Sequence, residues 1–290
     1  MTYQRILYEK VDPDIAKVTM NRPEKRNAMD PLMLEEVQDA FIEADLDEEV
    51  RVIIFAGAGK DFSAGHDMSG KGETARGPIL GKALATKLTG MEMRLKREDY
   101  IFFNQALIMR NVSKPTIAMV QGWAAAAGWM NAAMCDLIVA SEDAQFTNPV
   151  VRMTPAAGEI LWEPYDLGFR RAKEHLWTGD PISAQEGKRL GFVSRVVSRE
   201  KLEEETLDLA RRIAMNMPVA VSLVKRSINQ AWVEMGQRDA WHYHLLIHQL
   251  SHASDERVRW NKFADDAKAK GGVKEFLKVR DTKFKDGGNY

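Results

Sequence analysis

Two apolar segments of the chain end in runs of very small residues, and each run opens a helical pattern. The first, residues 53–67, reads IIFAGAGKDFSAGHD; the second, residues 117–136, reads IAMVQGWAAAAGWMNAAMCD. Small side chains let a backbone approach a ligand closely and leave its N–H groups aimed outward. Two such turns facing each other would direct two N–H donors at one oxygen. That is an oxyanion hole, which stabilises charge developing on a carbonyl oxygen in acyl transfer or enolate formation. The chemistry also needs a proton carrier. Residues 154–168, TPAAGEILWEPYDLG, offer two. With Thr154 and Pro155 as a helix start, Glu159 and Glu163 stand four apart on one helical face. Beside Ile160, Leu161 and Trp162, desolvation would raise the pKa of such a glutamate. The plainer reading is a helix N-terminus whose acids complement the dipole or pair with Arg152 and Arg170. His66 is a third candidate for proton transfer.

The elements that must position these groups alternate in the first half. Residues 6–9 and 16–20 read as short strands, and 52–55 as a β-branched buried strand. Residues 31–44 have apolar side chains at helical spacing (Leu32, Met33, Val37, Ala40, Phe41), with Asp30 placed to cap and Pro31 at the first helical position. Residues 69–90 are Gly-rich and weakly patterned, which predicts a mobile loop. A helix is expected over 98–111, strands over 115–120, 137–140 and 145–147, and a helix start over 128–135. This βα alternation predicts a layered α/β sheet with right-handed crossovers. From about residue 200 the strands stop, and 201–216, 219–235, 238–253, 254–263 and 273–276 read as helices. The expected division is a core over 1–200 and a helical segment over 201–290. The stripe Tyr243, Leu246, Ile247, Leu250 needs a partner, and a neighbouring subunit is a natural one.

Composition excludes several classes of partner. The 41 basic and 42 acidic side chains nearly cancel, so no strong field favours nucleic acid or an anionic membrane. No basic stripe with interleaved aromatics is present. The single cysteine, Cys135, excludes an internal disulfide, fits a reducing compartment and reads as buried packing. No apolar run reaches membrane-spanning length, and the first residues lack the pattern of a signal peptide. The expectation is a cytoplasmic protein. His244, His248 and His252 recur every four residues, a possible metal arrangement, but no carboxylate signature accompanies them and no metal is assigned. Trp123, Trp129 and Trp162 fall near the two site segments and could wall a pocket.

Several pieces together resemble the crotonase superfamily, the enoyl-CoA hydratase/isomerase enzymes. They are residues 21–29 (NRPEKRNAM), 62–67 (FSAGHD), 114–123 (KPTIAMVQGW), 135–141 (CDLIVAS), 144–146 and 178–197 (TGDPISAQEGKRLGFVSRVV), in order and at family spacing. The resemblance runs from about residue 8 to 197, and more loosely to the C-terminus. It implies a crotonase-like spiral of ββα turns, a helical C-terminal trimerisation region giving a homotrimer or dimer of trimers, and an acyl-CoA site. Carried across the motifs, the thioester oxygen would be held by the backbone N–H groups of His66 and Ala127. Ala at 127, where the family usually has Gly, suits a backbone donor if its φ is negative. Lys25 and Arg26 sit where the family contacts CoA phosphates or adenine. Ala28, Ala64, Asp67 and Met68 fall in the matching CoA-binding segments. No cofactor is implied beyond coenzyme A as part of the substrate.

The chain departs from the family where hydratases carry two water-holding glutamates. By the same resemblance those positions are Met130 and Val150, and neither side chain can orient water or exchange a proton. The resemblance also implies that the segment holding Glu159 borders the acyl pocket, where relatives with other reactions place an acid. The reading is an acyl-CoA-transforming enzyme that stabilises a thioester enolate with non-standard acid/base residues, Glu159 or Glu163. The alternatives are a C–C bond hydrolase or isomerase on a CoA thioester, or a non-catalytic acyl-CoA-binding homologue.

Overall fold

In the computed structural model, which describes residues 3–69, 87–153 and 158–285, β1 (Ile6–Asp12) and β2 (Ile15–Met20) form an antiparallel pair. Onto β2 the chain adds β3 (Val52–Gly57), β4 (Thr116–Val120), β6 (Leu137–Ser141) and β9 (Arg195–Val197), each parallel to its neighbour. Every residue of β3 and β4 is buried, as parallel strands covered on both faces require. Alternation divides their side chains between two cores. Ile53 and Phe55 pack with helix α1 (Pro31–Leu46) on one face. Val52, Ile54 and Ala56 pack with Leu202, Ala210 and Ala214 on the other. The α1 cap forms as its sequence predicts, with Asp30 Oδ1 accepting from Met33 N at 2.9 Å and Pro31 in the first turn.

A second, three-stranded sheet joins β5 (Trp123–Ala125), β7 (Gln145–Thr147) and β8 (Ile182–Ser183). β5, β8 and β9, of two or three residues each, escape the sequence reading, whereas β7, also of three residues, is read from it. The helix expected over 98–111 is three pieces. α2 (Gly90–Glu98) runs into a widened π turn, Asp99–Phe103, and then α3 (Asn104–Asn111). Next come α4 (Ala127–Ala133), α5 (Glu163–Leu167), α6 (Phe169–Thr178) and α7 (Ala184–Leu190). The loop expected over 69–90 falls mostly, and the helix start at Thr154 and Pro155 wholly, outside the described residues.

After β9 the described chain is helical: α8 (Leu202–Ala214), α9 (Pro218–Glu234), α10 (Gln237–Ser251) and α11 (Asp255–Lys285), the last broken at Gly271 and Gly272. α8 covers the sheet face opposite α1. α10 buries Trp241, Leu245 and His248 and leaves Tyr243, Leu246, Ile247 and Leu250 exposed. Among the described residues no helix is long and apolar enough to cross a membrane.

Candidate active site

The first small-residue turn is held in place by Asn27. Its buried side chain donates to the carbonyls of Ala58, Asp61 and Phe62 at 2.8, 3.0 and 3.1 Å, and its Oδ1 accepts from Arg22 N at 2.9 Å. Arg26 and Asn27 both adopt positive φ, which turns this loop back onto residues 58–62. The chain then makes a short parallel ladder at His66. Met29 N donates to Gly65 O at 2.8 Å and Asp67 N donates to Met29 O at 2.9 Å. In such a ladder the intervening residue faces the other way, so the His66 N–H points away from Met29.

The second turn lies against the first. Ser63 N donates to Trp123 O and Ala125 N to Ser63 O, at 3.0 and 2.9 Å. Gly65, at φ +89°, leaves no space between the turns: a methyl there would stand 2.9 Å from Ala125 O and 3.3 Å from Ala127 N. Gly128 is packed as closely, 2.5 Å from Ser63 O to where its Cβ would be. Ala127 opens α4, and the first N–H groups of a helix have no intrahelical acceptor. Among the described residues neither the His66 N–H nor the Ala127 N–H donates a hydrogen bond. Two free backbone donors thus stand on abutting turns.

Ala127 does not have a positive φ; the preceding Ala126 does, at φ 49° and ψ −121°. That region belongs to glycine and costs an alanine on the order of 1–3 kcal/mol. Ala126→Gly recovers this strain less the roughly 0.5–1 kcal/mol of extra chain entropy. The expected outcome is a higher midpoint in urea unfolding. An unchanged or lower midpoint would show that Ala126 is not strained.

Glu159 and Glu163 do not share a helical face. Gly158 has φ +110°, residues 158–162 are not helical, and α5 begins only at Glu163. The two carboxylates part. Glu159 Oε2 lies 3.9 Å from His66 Nε2, an ion-pair distance rather than a hydrogen bond, with its side chain 13% exposed. The His66 ring packs against Phe102 of the π turn, centroids 4.0 Å apart. Burial pushes the Glu159 carboxyl up, but His66, then His248, pull harder and leave it below its ordinary value. The rise expected from its apolar neighbours does not occur, because a histidine faces it. Such a carboxylate is ionised at neutral pH and so able to accept a proton, as a weaker base than an ordinary glutamate.

Glu163 shows the expected rise. It is fully buried, and desolvation pushes its carboxyl up to about 8 although Asn148 Nδ2 donates to it at 2.6 Å. Asn148 N donates to His175 Nε2 at 3.1 Å, so that ring is neutral there, in keeping with a pKa lowered by burial to about 4. Trp129 and Trp162 meet edge to face nearby, 5.7 Å apart, whereas Trp123 stands 39% exposed at the surface. Neither Arg152 nor Arg170 is paired with Glu159 or Glu163 among the described ion pairs. Cys135 is buried and its thiol is pushed up to about 12 by desolvation.

The segments expected to bind CoA lie together around the first turn. Lys25 ends a short 3₁₀ turn and is exposed; Arg26 is exposed too, with Nε 3.6 Å from the buried Asp61 carboxylate. Ala28 N donates to Lys25 O, and Ala64 N donates to Arg26 O, at 3.1 and 2.9 Å. Asp67 is engaged within the chain: Arg22 Nη2 lies 3.1 Å from its carboxylate and Ser69 N donates to it at 2.9 Å. Burial pushes Asp67 up, but these partners outweigh it and hold the carboxyl low. Met68 is half-buried, and Lys268 Nζ donates to its carbonyl at 3.3 Å.

The sequence reading misses what fixes the Glu159 loop. Trp241 Nε1 donates to Leu161 O at 2.8 Å, and His244 Nε2 lies 3.0 Å from Gly158 O. Both side chains come from α10. The sequence reading gave that helix the stripe Tyr243, Leu246, Ile247 and Leu250, directed at a neighbouring subunit.

A family model described as enoyl-CoA hydratase/isomerase matches residues 11–287. A protein of Mycobacterium tuberculosis (strain H37Rv) named "Putative enoyl-CoA hydratase EchA13" is 40% identical over 270 residues, 90% of this chain and 85% of that protein. The crystal structure of an enoyl-CoA hydratase/isomerase from Xanthobacter autotrophicus Py2 superposes with a TM-score of 0.83 at 30% identity, covering 98% of this chain and 99% of that one. That of a probable enoyl-CoA hydratase from Mycobacterium smegmatis gives 0.79 at 38% identity, covering 90% and 98%. With the parallel sheet, the facing turns and the helical C-terminal region, these matches identify the fold as crotonase-like, and the chain belongs to the enoyl-CoA hydratase/isomerase family.

Proposed function

We propose that the chain transfers a proton at the carbon next to the carbonyl of an acyl-CoA thioester. The observation supporting this best is the placing of an ionised carboxylate, Glu159, beside the residue whose backbone supplies one free N–H of the facing turns. The thioester oxygen accepts hydrogen bonds from His66 N and Ala127 N. Glu159 takes the Cα proton, the electron pair moves onto the thioester oxygen, and the two N–H groups stabilise the enolate. Proton return to Cα or to Cγ completes exchange or double-bond isomerisation. Lys25 and Arg26 are exposed cations that can meet the CoA phosphates. Coenzyme A enters as part of the substrate. The direct test is hydrogen exchange at Cα of an acyl-CoA in D₂O, followed by NMR. Exchange catalysed by the wild type and lost in Glu159→Gln supports the reading; no exchange across a range of acyl chain lengths removes it.

Met130 is fully buried on α4 and Val150 half-buried after β7, and neither can hold water. Hydration of crotonyl-CoA is therefore expected to be slow or absent. The check is loss of enoyl-thioester absorbance. A rate near that of a competent hydratase would show that other groups deliver the water; a gain in Met130→Glu with Val150→Glu would support the assignment.

The same reading includes a trimer or dimer of trimers. Tyr243 and Leu250 of α10 are 67% and 68% exposed, and Val219, Leu223 and Ile228 of α9 are exposed as well. Apolar area of that extent marks an association surface. Light scattering at micromolar concentration is expected to give at least three chains per particle, and a stable monomer would contradict it.

A further inference from the structure

Near the Glu159 loop, the fold supplies what the histidine repeat lacks in sequence. His248 on α10 and His252, which follows the helix end, are four apart and share a face. Glu98, the last residue of α2, comes up against both. His248 Nε2 lies 3.2 Å from Glu98 Oε2, His252 Nε2 lies 3.5 Å from Glu98 Oε1, and the two Nε2 atoms are 3.2 Å apart. The side chains are only 5%, 5% and 9% exposed. His244, the third member of the repeat, turns instead to Gly158 O.

We infer that Glu98, His248 and His252 form a binding site for one divalent cation of the zinc class. Three ligand atoms held around Zn²⁺ at about 2.0–2.1 Å in tetrahedral geometry are about 3.3 Å from each other. Two edges of 3.2 Å, His248 Nε2 to Glu98 Oε2 and His248 Nε2 to His252 Nε2, match that spacing; His252 makes its 3.5 Å contact with the other oxygen, Oε1, and one ligand atom from each of the three residues lies within 4.8 Å of the others. Two imidazoles and one carboxylate are a borderline donor set that favours Zn²⁺ or Co²⁺ over Mg²⁺ or Ca²⁺. The carboxylate has an outer partner, Gln249 Nε2, which donates to Oε2 at 2.5 Å. Arg94 Nη1 donates to the other oxygen, Oε1, at 3.2 Å, so each carboxylate oxygen keeps one donor. Among the described residues neither His248 Nδ1 nor His252 Nδ1 has a hydrogen-bond partner. Nδ1 is thus free to carry the proton while Nε2 binds the ion, and affinity falls short of that of a site with a complete outer shell. The bound ion would join α2 to α10, the helix whose Trp241 and His244 hold the Glu159 loop.

The test uses the untagged full-length chain, stripped with EDTA and desalted. Zn²⁺ content after gel filtration is expected to reach one ion per chain. Co²⁺ should give the intense visible d–d bands of a four-coordinate N/O site. His248→Gln, His252→Gln and Glu98→Gln should each weaken Zn²⁺ binding tenfold or more while keeping the wild-type circular dichroism. His242→Gln, on the exposed part of α10, should bind as the wild type does. Substoichiometric Zn²⁺ with no Co²⁺ bands overturns the site. So does undiminished binding in folded His248→Gln and His252→Gln. Metal content is read directly, so the result stands apart from the acyl-CoA reading.

Discussion

Glu159→Gln lowers turnover of an accepted acyl-CoA by about 10²–10⁴-fold, the loss expected when a general base is removed. Its KM changes little. Glutamine keeps the size of the side chain and can still face His66, but it cannot take a proton. The other ionised carboxylate of that turn, Asp67, is engaged by Arg22 and by Ser69 N. Because the carboxyl is held below its ordinary value, the acid limb of the wild-type pH–rate profile should lie below the usual glutamate range. Rate then stays level as pH rises through neutrality, since the base is already ionised. Steady-state kinetics of Glu159→Gln beside Glu163→Gln decides between the two. Loss only in Glu163→Gln transfers the role to the residue raised to about 8, which holds its proton at pH 7 and is suited to act as an acid. Full activity in both would leave the oxyanion turns alone as the catalytic device.

Gly65→Ala is expected to cost about 10²–10³-fold in kcat, the scale of losing one oxyanion donor. The added methyl would stand 2.9 Å from Ala125 O and 3.3 Å from Ala127 N, so the second turn must move. At φ +89° the alanine is strained as well, at roughly 1–3 kcal/mol of stability. The two effects separate in measurement. Thermal unfolding reads the strain, and kcat at saturating substrate, well below the unfolding temperature, reads the displaced donor. A folded Gly65→Ala with wild-type kcat would mean that the abutting turns do not hold the reacting oxygen.

The motifs that were legible in sequence are those whose physics is local. Asp30 and Pro31 announce α1, β-branched runs announce β3 and β4, and the small-residue turns announce where backbone meets backbone. Glu159 stands out in the sequence as a candidate, but with the wrong local structure and the wrong sign of pKa shift. Gly158 breaks the helical spacing, and His66, ninety-odd residues earlier, is the partner that outweighs the desolvation effect. Long-range partners leave no period in the sequence. Glu98 is invisible beside His248 for the same reason, as are Trp241 and His244 beside the Glu159 loop. Asn27 was inside a recognised motif, yet its three carbonyl partners follow only from the fold.

The clasp from α10 sets the order in which a new chain can become complete. Trp241 and Leu161 are 80 residues apart, and His244 and Gly158 are 86 apart. Contacts so distant carry a loop-closure cost that is met late in folding. Strands β1 to β9 all leave the ribosome before α10 does, so the parallel sheet can pair while the Glu159 loop is still unclasped. A nascent chain arrested before residue 241 would hold most of its core and leave the Glu159 loop unclasped. Folding yield and catalytic competence should therefore be acquired at different chain lengths.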